Sequence, residues 1–209
     1  MNVINFKKKP ILGILRGVDR GIIEPLVEAV IEAGLGTLEI TMNTAHAPES
    51  IRKAQQVAAG RLTLGAGTVL TMNDLKLALK SGATFIVMPV LVKEVVGFCV
   101  KKKIPIFPGA FTPQEIYQAW TSGATMVKVF PAKFFGPEYF REIKGPFNKI
   151  ELLACAGVTP ENMKDYLAQG ASAISFGASV FKRDWLVNKD FKAIAQAIKR
   201  FMDALSELS

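Results

Sequence analysis

Short runs of alternating or continuous hydrophobic residues recur along this chain. Between them lie longer stretches in which apolar side chains return every three or four residues. The first run is Pro10-Ile-Leu-Gly-Ile-Leu-Arg16, with Leu12, Ile14 and Arg16 on one face. Helical spacing follows through Ile22, Ile23, Leu26, Val27, Val30 and Ile31 and stops at Ala33-Gly34. Thr37-Leu-Glu-Ile-Thr41 is the second strand, Glu39 and Thr41 on one face, Leu38 and Ile40 on the other. A helix over 48–58 leads to a third strand, Leu62–Gly67, that runs into a glycine turn. Thr71 with Asp74 opens the next helix as a variant capping box. The fourth strand, 84–88, ends at Pro89; a helix over 92–102 precedes a fifth strand at 105–108. Thr112-Pro-Gln-Glu115 is a full helix start, with Thr as N-cap, Pro at N1 and Glu at N3. The sixth strand, 125–130, has Met126, Lys128 and Phe130 on one face and Val127 and Val129 on the other. A helix from Gly136 to about Lys144, a seventh strand at 150–154, a helix from Thr159 to Gly170 and an eighth strand at 172–176 follow. The last helix spans 189–207, with Phe191, Ile194, Ala197, Ile198 and Phe201 inward.

Eight strands alternating with eight helices predict an α/β fold, a (β/α)8 TIM barrel, as a single compact domain over 1–209. A weak repeat supports the count. Gly34-Leu, Gly82-Ala, Gly123-Ala and Gly170-Ala each close a helix just before a strand, so the tag precedes strands two, four, six and eight. The alternative, an open doubly wound sheet, expects Gly-x-Gly-x-x-Gly after the first strand, and that pattern is missing.

Composition narrows the function classes. With 209 residues and 50% hydrophobic content the chain builds one large core. No apolar run reaches transmembrane length, and the first ten residues do not read as a signal peptide. Two cysteines, Cys99 and Cys155, are too few for a disulfide framework, so a reducing cytoplasm is the expected location. With His46 the single histidine, no Cys/His metal cluster can be assembled, and neither metal nor cofactor is expected. The net charge of +8 raises nucleic-acid binding, but Lys7–Lys9 reads as a terminal tail and Lys101–Lys103 as a helix end complementing the dipole. No basic motif is interleaved with aromatics, so the balance suits an anionic small molecule, with no nucleic-acid or membrane partner.

The chemistry begins with Lys128, a cation in mid-strand between apolar faces. Burial lowers a lysine pKa, and a neutral amine is a nucleophile for carbonyl carbon. The competing reading is an ammonium that snorkels to water from the strand end. A barrel collects its reactive groups at the carboxyl ends of its strands. Those ends deliver Arg16, Glu39, Thr68, Pro89, Lys128 with Phe130, Ala156-Gly157, and Gly177-Ala178-Ser179. Singly each has a dull explanation: Glu39 as an ion-pair partner of Lys128, the glycines as turns that close helices. Together they fit a Schiff-base enzyme acting on a phosphorylated keto acid, the late glycine turns holding phosphate.

Leu38-Glu-Ile-Thr, Gly65-Ala-Gly-Thr-Val69, Lys128-Val-Phe-Pro131 and Gly157-Val-Thr-Pro-Glu-Asn162 resemble, in order, the class I 2-keto-3-deoxy-6-phosphogluconate aldolases, a group with 4-hydroxy-2-oxoglutarate and 6-phosphogalactonate branches. The resemblance spans about Ile11 to Phe181. It implies a homotrimeric barrel with Lys128 as the Schiff-base lysine and Glu39 as general acid/base. It further implies cleavage of 2-keto-3-deoxy-6-phosphogluconate to pyruvate and glyceraldehyde 3-phosphate, with the galactonate epimer or 4-hydroxy-2-oxoglutarate as the alternative substrate. Substrate contacts are then expected from Arg16, Asn43, Thr68, Pro89 and Phe130, and phosphate contacts from Ala156, Gly157, Gly177, Ala178 and Ser179.

The chain departs from the family pattern in three places. Asn43 stands where many members carry a carboxylate-binding arginine, leaving Arg16 to supply that charge. Cys155-Ala-Gly157 replaces the usual Thr-Gly-Gly, and Gly177-Ala-Ser179 the usual Gly-Gly-Ser. Rival readings are a metal-dependent aldolase, a phosphate-binding barrel for decarboxylation or epimerisation, and a non-catalytic keto-acid-binding barrel. The first lacks ligands, the second lacks further strand-end carboxylates, and imine formation with pyruvate separates the third.

Overall fold

A computed structural model describes residues 1–208. In chain order its elements are α1 (Val3–Lys8), β1 (Ile11–Leu15), α2 (Ile23–Glu32), β2 (Thr37–Thr41), α3 (Ala47–Ala58), β3 (Thr63–Gly67), α4 (Met72–Lys80), β4 (Ile86–Val87) and α5 (Lys93–Lys101). Then come β5 (Ile106–Phe107), β6 (Gly109–Ala110), α6 (Pro113–Thr121), β7 (Val127–Val129), α7 (Glu138–Lys144), β8 (Leu152–Cys155), α8 (Met163–Ala168), β9 (Ala173–Phe176), α9 (Arg183–Val187) and α10 (Phe191–Ser206). Single 3-10 turns precede α2 and follow β7.

All strand pairs are parallel, in the order β5-β4-β3-β2-β1-β9-β8-β7-β6. The two ends of that order, β5 and β6, are consecutive in sequence and separated only by Pro108, so they are halves of one broken strand and the sheet closes into a (β/α)8-type barrel. The sequence expects one strand at 105–108. The break is local: proline has no N–H for the ladder, and a Cβ on Gly109 would fall 2.1 Å from the Pro89 carbonyl oxygen, so that backbone contact requires glycine.

Alternation sorts the strand residues as the sequence implies. Leu38, Ile40, Val127 and Val129 face outward into the layer shared with the helices. Leu12, Val87, Phe107, Met126, Leu153 and Ala173 face inward with Phe85 and form a separate cluster inside the barrel. The repeated glycines before alternate strands all adopt positive φ (Gly34 87°, Gly82 99°, Gly123 97°, Gly170 104°), the conformation that ends a helix without strain on a Cβ. The capping boxes at Thr71/Asp74 and Thr112/Glu115 are both formed.

Three further segments differ from the sequence reading. The expected basic tail is helix α1, capped by Asn2, and Phe6 plugs the lower end of the barrel against Phe107 at 6.0 Å between ring centroids. Lys7 in that helix pairs with Glu151 at 3.0 Å. The helix expected from Thr159 begins at Met163: Thr159 and Asn162 instead exchange side-chain-to-backbone hydrogen bonds, and the Asn162 amide donates to the Gly157 carbonyl at 3.0 Å, fixing the turn after β8. Finally, α9 precedes the last helix and was not expected.

Candidate active site

Lys128 lies in the middle of β7, registered with Gly109 on β6 and Leu153 on β8, and only 6% of its surface is exposed. Glu39 lies in the middle of β2, registered with Ile14 and Gly65, and is 1% exposed. Both side chains point into the barrel above the apolar cluster. Glycine makes the room: a Cβ at residue 67 would fall 2.3 Å from Glu39 Oε1, and one at residue 65 would fall 2.5 Å from the Phe85 ring. The Gly65-Ala-Gly67 stretch is thus ordinary strand whose missing side chains admit a carboxylate and an aromatic ring.

No ion pair within 4.0 Å joins Lys128 to Glu39, so Glu39 is not a direct salt-bridge partner of the lysine. Glu39 Oε2 is buried with no hydrogen-bond partner. Burial pushes the Glu39 carboxyl above its ordinary value, only partly countered by the charges of Lys128 and Arg16. For Lys128 burial acts downward, but the Cys155 sulfur and the Glu39 carboxylate act upward and prevail, holding the ammonium above the ordinary lysine range. Burial alone, the effect legible in the sequence, would act in the opposite direction. A buried ammonium and a carboxyl of raised proton affinity thus share the barrel interior. The Lys128 Nζ also sits 5.6 Å from the centroid of Phe130.

At the carboxyl ends of β1, β7, β8 and β9 opens a cavity of about 800 Å³, whose lining includes Cys155 but not Lys128, Glu39 or Thr68. Of the residues singled out from sequence, Arg16, Phe130, Ala156, Gly157, Gly177, Ala178 and Ser179 line it. Arg16 follows β1, is exposed, and its guanidinium donates to Thr68 Oγ1 at 3.4 Å. The neighbouring loops are tied together where the Gly17 N–H donates to Thr44 Oγ1 at 2.9 Å, which in turn lies 3.0 Å from Thr41 Oγ1. Thr68 itself is held at φ 54°. Pro89 borders a second cavity of about 360 Å³, which Phe130 separates from the first. Asn43 is exposed in the loop after β2 and lines neither cavity.

The backbone N–H groups of Ala178 and Ser179 donate to no acceptor among the described residues. Among the other lining residues, four with polar or charged side chains were not expected to contact substrate: Cys155, Ser175, Lys133 and Arg183. Strand alternation points Cys155 and Ser175 inward and could have found them; Lys133 and Arg183 follow a proline and a glycine turn, where no periodicity exists to read. No three His, Cys, Asp or Glu side chains come together as a metal site among the described residues. The lining holds three cations, Arg16, Lys133 and Arg183, and no acidic side chain.

The model of the family described as KDPG and KHG aldolase matches residues 3–197. The chain is 30% identical over 199 residues to the 2-dehydro-3-deoxy-6-phosphogalactonate aldolase of Escherichia coli (strain K12), covering 95% of this chain and 97% of that protein. It is 38% identical over 136 residues to the 2-dehydro-3-deoxy-phosphogluconate aldolase of Pseudomonas aeruginosa, 65% of this chain and 61% of that protein. A solved structure described as "Native KDPGal structure" superposes with a TM-score of 0.88 at 30% identity, covering 95% of both chains.

Proposed function

The chain belongs to the KDPG and KHG aldolase family, and from that premise we propose that it cleaves 2-keto-3-deoxy-6-phosphogalactonate to pyruvate and glyceraldehyde 3-phosphate. The reaction class is the family's: Schiff-base aldol cleavage by a metal-independent class I aldolase. The observation that supports the residue roles is the buried, unpartnered Glu39 Oε2 sharing the barrel interior with Lys128.

In this reading the Lys128 ammonium, whose proton is held by Cys155 and Glu39, must first yield it, and Glu39, its own affinity for protons raised by burial, is the acceptor. The neutral amine adds to the C2 ketone, protonated Glu39 gives its proton to the departing hydroxyl so that water leaves and the carboxylate is restored, and the iminium draws the electrons of the C3–C4 bond as that bond breaks. Glu39 takes the C4 hydroxyl proton in the same step. Glyceraldehyde 3-phosphate departs, the enamine is protonated at C3, and hydrolysis of the imine frees pyruvate and the amine. Arg16, braced by Thr68, grips the substrate carboxylate through its planar guanidinium. Phe130 packs on the sugar chain, and the turns Ala156-Gly157 and Gly177-Ala178-Ser179 receive the phosphate on backbone N–H groups.

The galactonate epimer is placed first because the similarity to that branch runs nearly end to end. The sequence alone put the gluconate epimer first, and the 38% identity to the Pseudomonas enzyme keeps it as the second reading. A coupled pyruvate-release assay on the two epimers decides between them. At least tenfold higher kcat/KM for the galactonate form is expected, a difference of about 1.4 kcal/mol; parity or reversal would favour the second reading.

The homotrimer implied by the family resemblance has a candidate surface near the second cavity. Phe135 stacks on Phe111 and on Tyr139, each at 5.0 Å, and beside them Phe134 is 67% exposed. Such a patch suits burial against a second copy. Both cysteines are free, which supports reading the chain as a protein of a reducing cytoplasm.

A further inference from the structure

We propose that the side chains of Arg183 and Lys133 form a cationic clamp that selects substrates ending in a phosphate over the same carbon skeleton without one; this rests on the aldolase reading above. Both residues line the 800 Å³ cavity, and neither has an acidic ion-pair partner among the described residues. Their charge is therefore available to an anion.

Their positions follow from the topology. Around the barrel the order is β3, β2, β1, β9, β8, β7. Arg16 leaves β1 and reaches across β2 to Thr68 beyond β3. The turns after β9 and β8 lie on the other side of β1, and the clamp residues flank them. Lys133 follows β7 and packs directly on the β8 turn: a Cβ at residue 157 would fall 2.4 Å from Lys133 Cβ, so glycine there is what lets the lysine backbone settle against the turn. Its ammonium rests over the Phe134 ring at 5.3 Å, an exposed contact that leaves its N–H donors free.

Arg183 opens α9 after the β9 turn. Arg183, Leu186 and Val187, spaced i, i+3 and i+4, all line the cavity, so one face of this short helix is turned to it. Val187 on that face is 69% exposed, so α9 serves as a wall of the cavity more than as part of the core. In the β9 turn that precedes Arg183, and lining the same cavity, the N–H groups of Ala178 and Ser179 are unpaired among the described residues. A phosphate monoester carries a charge of about −1.5 to −2 near neutrality. Two cations and free backbone donors at one side, with a single arginine at the other, match a substrate with phosphate at one end and carboxylate at the other.

The test compares KM for 2-keto-3-deoxy-6-phosphogalactonate, its dephosphorylated form and pyruvate in wild type, Arg183→Ala, Arg183→Lys and Lys133→Ala. Both side chains are exposed, so the variants keep the fold. Arg183→Ala should raise KM for the phosphorylated substrate about tenfold or more and leave kcat, pyruvate trapping and the KM of the dephosphorylated form unchanged. Arg183→Lys should recover part of the loss, and Lys133→Ala should show a smaller effect of the same kind. An unchanged KM for the phosphorylated substrate in both alanine variants, or an equal rise for both sugar acids, overturns the clamp while leaving the aldolase reading intact. A wild-type enzyme that releases no pyruvate from either sugar acid overturns the reading itself and the clamp with it.

Discussion

The lower interior of the barrel and the upper interior are built by the same strands one or two residues apart, yet they do opposite things. Below, Phe6, Leu12, Phe85, Phe107, Met126 and Leu153 interlock, with Phe85 and Phe107 edge to face at 5.9 Å. Every group there is apolar and every contact lowers the free energy of the folded chain. Above, one residue step further along each inward face, Glu39, Lys128, Cys155 and Ser175 replace them, and glycines leave space. Charged groups there are buried without a direct ion pair, which costs stability. The lower half lends the rigidity against which the upper half can hold an ammonium and a carboxyl whose proton affinities are both raised.

Substitutions at the two levels should therefore separate activity from stability. The largest effect is expected for Lys128→Met: no pyruvate adduct should be trapped by borohydride, and cleavage should fall to background, about 10⁶-fold or more. Stability in urea should hold or rise, because a buried cation has been replaced by an apolar chain. An adduct that persists on another lysine would overturn the assignment.

Next is Glu39→Gln, which keeps shape and loses the proton acceptor. Cleavage should drop by about 10² to 10⁴, with trapping at Lys128 slowed but detectable. Stability supplies a second readout. The folded protein holds the Glu39 proton more tightly than the unfolded chain does, so wild-type stability should decline as pH rises above the ordinary glutamate value of 4.5 toward the raised folded value. The glutamine variant should lack that component, and urea midpoints taken at several pH values would reveal it. Identical pH profiles would mean that Glu39 titrates normally.

The smallest effect on catalysis is expected below. Phe107→Ala should cost about 3–5 kcal/mol of stability, read from urea unfolding, yet leave kcat per folded molecule within about twofold. A large fall in kcat would show that the two levels are not separable.

Much of this arrangement is written in the sequence. Strict alternation around Lys128 and Glu39 placed both inside, and the helix-closing glycines counted the strands. What could not be read has physical causes. Six residues of α1 and five of α9 are too short to establish a helical period. The break at Pro108 depends on how closely the backbone of Gly109 approaches Pro89, a contact between separate strands. The direction of the Lys128 shift is a balance of burial against Cys155 and Glu39, which come from other strands and meet the lysine only in the folded barrel. Arg183 and Lys133 come together around a cavity formed by turns that carry no pattern.

Gly67 ties two positions into one unit of variation. Because the space of its absent side chain is filled by Glu39 Oε1, neither site can drift alone. Randomising position 67 by itself samples chains in which the carboxylate has been displaced. An aspartate at position 39, one methylene shorter, vacates the room that an alanine at 67 would need. A library that changes both positions together therefore crosses ground closed to single steps, and new substrate preferences in this barrel are best sought among such paired changes.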